Sequence, residues 1–288
     1  MSEVRTVTER RKVMKRDSTR LRLFIFSGLV LVLLLATIFA SYICPYDPNL
    51  QDLKSALQPP SIAHPFGTDR YGRDMLSRVI IGAQTSITST LALVVIIAVA
   101  GTGIGVACGY FGGALDAVIM RISDICLAFP GLVFAMAIAA VLNGGVQNAV
   151  IALAAVSWPK YSRIARSQTL AVKDMGYLAA AKLSGSTPGK IIRKHVLPNI
   201  AGPILVTAML DIGTMMMEIA ALSFLGLGAK PPTAEWGSMM SGGRSMLQTY
   251  PWVVLTPGLA IFVSVVLFNL LGDTVRDYLD PQNAGREN

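Results

Sequence analysis

Long uncharged apolar runs alternate with short charged segments along this chain. The first run, residues 23–43, carries no charge. At 1.5 Å of rise per residue it covers roughly 30 Å, the thickness of a bilayer's hydrocarbon core. It exceeds the roughly 7–15-residue apolar core of a cleaved leader and exits through "YICPYDP" without an A-x-A-like site, so a retained first helix is expected. A second uncharged stretch, 79–115, is too long for one straight span. It predicts a helix near 86–110 and a tight turn at "YFGGALD". Further helices are predicted near 117–142, 149–158, 199–222 and 252–271. "NGGVQN" reads as a loop, and "SFLGLGAKPPTAEWGSMMSGG" is too rich in Gly and Pro for a continuous span. Hydrocarbon leaves each backbone group to be bonded within its own helix. The pattern therefore predicts an all-α integral membrane protein with six transmembrane helices.

Composition agrees with that pattern. Only 15% of residues are charged, against about 25% in a typical soluble domain. The charges also orient the chain. Arg5, Arg10, Arg11, Lys12, Lys15, Arg16, Arg20 and Arg22 precede the first run, against Glu3, Glu9 and Asp17. Between the fourth and fifth spans, Lys160, Arg163, Arg166, Lys173, Lys182, Lys190, Arg193 and Lys194 face a single acid, Asp174. The positive-inside rule places both segments in the cytoplasm. Four spans from a cytoplasmic N-terminus return the chain to the same side, and six place the C-terminus there too. The net charge of +8 thus reflects topology, and no nucleic-acid partner is expected.

Three parts follow: 1–78 (N-terminal tail, first helix and outer loop), a 79–273 membrane core, and a 274–288 cytoplasmic tail. Trp236, Tyr250 and Trp252 are expected at the outer interface. Cys44, Cys108 and Cys126 show no CxxC spacing and read as small apolar residues. His64 and His195 are too far apart for a local metal motif, so no metal site is expected. No GxxxxGK[ST] string is present, and the chain is not expected to bind or hydrolyse ATP itself.

The segment 177–198, "YLAAAKLSGSTPGKIIRKHVLP", carries the most information about role. Helix formers and small residues precede Ser184, and Gly185 is placed as a C-cap residue. Ser186 or Thr187 can cap a second short helix with Pro188 at an early position, ending near Pro198. This predicts a helix-turn-helix at the cytoplasmic surface. Its small residues would let another protein approach closely, although a basic hairpin that merely orients the chain has the same physics.

The segment resembles the "EAA" loop of ABC importer permeases, E-A-A, three residues, G, nine residues, I-x-L-P. Ala180 and Ala181 match the alanines, Gly185 the glycine, and Leu197 and Pro198 the ending. Ala179 stands in place of the glutamate and His195 in place of the isoleucine. "FGTDRYGRDMLSR", "MRISDICLAFPG", "LSFLGLGAKPPTAEWG" and "FNLLGDTVRDYLDP" resemble, in order, the C-type permease of dipeptide, oligopeptide and nickel importers. The resemblance implies a type I ABC permease fold and a heterodimer with a homologous permease. It also implies two ATP-binding subunits using ATP and magnesium, an extracytoplasmic solute-binding protein, and alternating access. The coupling residues it implies are Tyr177, Ala180, Ala181, Gly185, His195 and Pro198.

Charges within spans are costly and usually face a cavity or a partner. Asp211 and Glu218 stand seven apart on one face of the fifth span, with Met209, Met215, Met216 and Met217 nearby. Asp211, Glu218 and Met215 are candidate pathway residues. A buried pair with Arg121, or a polar contact to a sister subunit, is the structural alternative. Arg121 and Asp124 could also pair locally at i,i+3. The "GLGAKPPTAEWG" loop reads as a partial plug or a binding-protein contact. The string "LDIGTMMMEIAALSFLGLG" followed by "PTAEWG" resembles nickel-importer permeases more than dipeptide ones. The expected cargo is therefore nickel, free or chelated, or small peptides. A secondary transporter or channel without an ATPase is the alternative class, and it would leave the 177–198 loop unexplained.

Overall fold

The structure, a computed structural model, describes residues 2–279, with side chains from residue 19 onward. The basic side chains before residue 19 and the tail from residue 280 lie outside the described residues. The first helix, α1 (Ser2–Ile38), contains an apolar stretch, Thr19–Ile38, long enough to cross a membrane, and a short α2 (Ala40–Ile43) follows it. An irregular segment then leads to α3 (Met75–Phe111). At 1.5 Å per residue α3 is about 55 Å long. It begins before the expected 86–110 helix, because the Asp74 carboxylate accepts the Ser77 N–H at 2.7 Å and caps it.

The expected third span, 117–142, is not one helix. It is α4 (Gly113–Ala128) and α5 (Gly131–Val141), bent by 95° between them. Pro130 causes the break. The residue before a proline is pushed out of the helical region, and Phe129 is extended at φ −99°, ψ 151°. The fourth span is longer than expected: α6 (Val146–Lys173) runs through Pro159 and well beyond Trp158. Its cations at 160, 163 and 166 sit on a helix, not in a loop.

A short α7 (Gly176–Leu183) follows, then α8 (Pro188–Ile191), a π-helical turn (Ile192–Val196) and α9 (Leu197–Phe224). The second loop helix therefore does not end at Pro198. It continues into the fifth span, with Pro198 in the first turn of α9, where a missing N–H is tolerated. The Gly- and Pro-rich segment after α9 holds α10 (Trp236–Gly243), and α11 (Trp252–Leu279) closes the described chain. Among the described residues, four helices are long and apolar enough to span a membrane singly, and the bent α4–α5 pair gives up to five.

The body is built on α3 against α6. Gly101, Gly105 and Gly109 recur every fourth residue on one face of α3. A Cβ on Gly105 would stand 2.2 Å from the Ser162 carbonyl oxygen, and one on Gly101 2.6 Å from that of Trp158. Small residues at this spacing let two membrane helices touch backbone to backbone. The core joins Ile87, Leu93 and Ile97 of α3 to Leu153 and Tyr161 of α6 and Ile219 of α9. Trp236 does not face outward. It is buried, and its indole N–H donates to the Val79 carbonyl at 2.9 Å. Tyr250 and Trp252 are half-buried at the start of α11, their rings edge to face. Side chains such as Phe24, Val32, Leu259 and Phe262 face outward from α1 and α11, as lipid-facing residues do.

Candidate functional site

The 177–198 segment forms a closed helical hairpin. Gly185 has φ +76°, the left-handed conformation in which a Cβ is strained. Its N–H bonds the Lys182 carbonyl at 3.0 Å, and the Ser186 N–H bonds the Ala181 carbonyl at 3.1 Å. These two bonds make a Schellman motif that satisfies the last carbonyls of α7. Thr187 then precedes Pro188, which opens α8 without any side-chain cap bond.

The hairpin has an anchored underside and an open top. Leu178, Ile191, Val196 and Ile200 are buried with Val106, Ala165 and Val172 in a cluster of their own beside the main core. Above it, Ala179, Ala180 and Gly185 are exposed, as are Met175, Tyr177 and Leu183. Tyr177 and His195 are brought together, with ring centroids 6.0 Å apart. Asn199 ties them, donating to the Tyr177 hydroxyl at 3.1 Å and the His195 carbonyl at 2.6 Å. Lys173 and Lys182 both stand over the Tyr110 ring, at 5.9 and 5.8 Å from its centroid. A rigid hairpin with an exposed, part-apolar top can transmit force to a docked protein.

Asp211 is buried and pairs with Lys160 of α6 at 2.5 Å, not with Arg121. Arg121 is largely exposed and approaches Asp124 only at 3.9 Å, while Asp124 is held more closely by Arg163. Arg166 grips Asp116 by two bonds, at 2.5 and 2.6 Å. Three cations on α6 thus reach acids on α4 and α9. Glu218 is half-buried, and Met215 is buried in the core while Met217 is exposed. The structure therefore places Asp211 in an ion pair and Met215 among packed side chains.

On the side opposite the hairpin, the segment before α3 is tightly folded. Gly72, at φ +73°, leaves no room for a side chain, since a Cβ would lie 1.7 Å from the Asp52 carbonyl oxygen. The Ser55 hydroxyl and the Lys54 N–H hold the Asp52 carboxyl below the usual carboxylate range. His64 bonds Asp74 at 2.9 Å, and the Trp252 indole N–H donates to the Thr68 carbonyl at 3.2 Å. Glu235, also buried, caps α10 by accepting the Gly237 and Ser238 N–H groups at 2.9 and 2.8 Å. Sequence pattern alone reveals neither Lys160 as the partner of Asp211 nor, as read above, Glu235 as a cap. The first needs long-range pairing, and glutamate is not among the usual N-cap residues, so "EWGS" does not announce the second.

Residues 101–284 match the family described as binding-protein-dependent transport system inner membrane component. Residues 20–60 match the N-terminal TM domain of oligopeptide transport permease C. The chain is 45% identical over 259 residues to the probable D,D-dipeptide transport system permease protein DdpC of Escherichia coli (strain K12), covering 90% of this chain and 87% of that one. It is 42% identical to the dipeptide transport system permease protein DppC of Alkalihalophilus pseudofirmus, over 88% of this chain and 84% of that one. It is 43% identical to the glutathione transport system permease protein GsiD of Escherichia coli O6:K15:H31, over 89% and 85%. A solved inward-facing structure of the MetNI methionine ABC transporter shares the fold, with a TM-score of 0.58 at 19% identity over 72% of this chain and 98% of that one.

Proposed function

This chain belongs to the family of binding-protein-dependent transport system inner membrane components, and we propose that it carries dipeptides and other short peptides through an ATP-driven importer. As a member it is a multi-pass inner-membrane permease subunit without catalytic chemistry of its own, and ATP is used by partner ATPases in such systems. The peptide reading is supported by relatives named for D,D-dipeptide, dipeptide and glutathione transport. Nickel, the other cargo suggested by the resemblance, has no such support among them.

In the finer reading the chain crosses the membrane six times with both termini in the cytoplasm. The bent α4–α5 pair makes one crossing and α6 another. The chain pairs with a homologous permease, two ATP-binding subunits dock beneath, and a solute-binding protein delivers cargo from outside. One observation carries this reading: the 177–198 hairpin, closed at Gly185, braced by Asn199 and anchored on its own apolar cluster, yet open on top. Movement of a docked ATPase would reach α9 directly, because α8 runs into it through the π-helical turn. A ligand shifts such an equilibrium only by binding its two states differently. Asp211 and Glu218 remain candidates for the pathway, the first through its pair with Lys160.

The test is uptake by the complete system in proteoliposomes, with labelled alanyl-alanine, glutathione and nickel supplied in turn. ATP-dependent peptide uptake is expected. Nickel uptake without peptide uptake would overturn the peptide reading. Uptake by the chain with no associated ATPase would place it among secondary transporters or channels.

A further inference from the structure

A cavity of about 450 Å³ opens between the segment that precedes α3, the loop after α9 and helix α10. Its volume lies in the range of small-ligand sites, about 300–1,000 Å³. Its charge is lopsided. Arg70, Arg73, Arg78, Lys230 and Arg244 line it, and Asp69 is the sole acid among the lining residues.

That acid is already saturated. Asp69 Oδ1 accepts the Tyr71 and Arg73 backbone N–H groups at 2.8 and 3.0 Å. Its Oδ2 takes two Arg73 nitrogens, at 2.7 and 2.6 Å. Arg78 is buried, yet its Nε is 3.8 Å from Asp69, and its hydrogen bond goes to the neutral Pro48 carbonyl at 2.9 Å. A buried guanidinium so weakly neutralised is costly. Lys230 and Arg244 are exposed and have no ion-pair partner among the described residues. Arg70 stacks on Tyr71 at 4.7 Å, which leaves its in-plane donors free. The floor of the cavity is thus a pre-formed cationic surface, and its rim carries further cations.

We propose that this cavity is a binding site for the carboxylate end of a short peptide. Arg78 and Arg244 offer planar donor forks, the geometry that suits a carboxylate. The assignment rests on the peptide-import reading and on this face being the outer one. Cargo leaving a binding protein would be held here by its terminal carboxylate before it passes inward. Low dielectric around Arg78 strengthens the attraction relative to water.

The test uses the complete complex of this permease, its sister subunit and the ATPases in nanodiscs, without the binding protein. Alanyl-alanine, alanyl-alanine amide and inorganic phosphate are titrated in turn and followed by saturation-transfer NMR. Alanyl-alanine is expected to bind, and the amide at least about tenfold more weakly, the loss of one charge-assisted bond. Arg244→Ala and Lys230→Ala, both exposed and safe for folding, are expected to weaken the dipeptide by a similar factor. Equal binding of the amide, or unchanged affinity in both variants, would overturn the assignment. Phosphate displacing the dipeptide at equal concentration would do so too, marking a lipid-headgroup or general anion site. In a parallel titration with the binding protein added, variants that lose its association but keep dipeptide affinity would overturn the assignment and make this a docking contact. ATP-driven alanyl-alanine uptake by the unaltered system separates the two claims. Its absence defeats the transport reading, while uptake without binding in nanodiscs defeats only the cavity.

Discussion

Lys160 of α6 donates to Asp211 of α9 at 2.5 Å, and the two partners are unequally buried: the lysine is half-exposed, the carboxylate almost wholly inside. That inequality predicts an inequality between mutants. Removing Lys160 strands a buried carboxylate, which costs about 3 kcal/mol or more. Asp211→Asn leaves a lysine whose stem can carry its charge toward headgroups, at a cost of about 1 kcal/mol. Thermal unfolding of the purified complex should rank Lys160→Ala well below Asp211→Asn. Equal losses would mean that the pair is not what holds α6 to α9 here.

The α3–α6 contact makes a sharper prediction. Gly105→Leu drives a Cβ to 2.2 Å from the Ser162 carbonyl, and backbone cannot swing aside. The helices must part, at a cost of about 3 kcal/mol. Gly103 has nothing within 4 Å of an added Cβ. Gly103→Leu should therefore leave the yield of folded protein unchanged, while Gly105→Leu removes most of it. Size-exclusion profiles of the two variants read the difference directly.

Gly185 offers a case in which space is not the issue. Nothing lies within 4 Å of a Cβ there, but φ is +76°. A β-branched residue would lose about 1–2 kcal/mol to the left-handed conformation, or unwind the end of α7. Gly185→Val should insert and fold normally, yet lose most ATP-driven uptake. Gly185→Asn, which tolerates this conformation, should retain much of it. Uptake at matched expression distinguishes them, and full activity in Gly185→Val would remove the hairpin's rigidity from the mechanism.

The legible parts of this fold were local ones. Run lengths marked out the helices, and Gly185 announced its own left-handed turn. Two departures from expectation had signals in the sequence: Asp74 three residues before Ser77 is a cap, and Pro130 forces Phe129 out of the helix. Others had none at short range. Lys160, Arg163 and Arg166 read as loop cations because their acids, at 211, 124 and 116, lie on other helices. Those partners are supplied by the fold and not by any neighbour in sequence. The cavity around Arg78 was illegible for the same reason, since its walls come from segments more than a hundred residues apart.

Leu183 is the most exposed apolar residue of the hairpin, at 90% of its full surface; it ends α7, at whose start Met175 and Tyr177 are exposed too. Lys182, next to it in sequence, brings a positive charge to the same end of α7, so it is not dressed for lipid. An apolar tip rimmed by charge is the anatomy of a protein contact. Leu183→Asp removes no buried surface and should leave the unfolding temperature within a degree or two of the parent, roughly the scatter of surface substitutions. Its effect should fall on ATPase association. Truncating a central apolar anchor of an interface costs about 2 kcal/mol, or roughly thirtyfold in affinity. Ile191→Asp, beneath the same tip and buried, should instead unfold the hairpin and abolish both stability and association. Co-purification of the ATPase with each variant, set against its thermal stability, separates contact from scaffold. A Leu183→Asp permease that still retains its ATPase would move the docking surface off the top of α7.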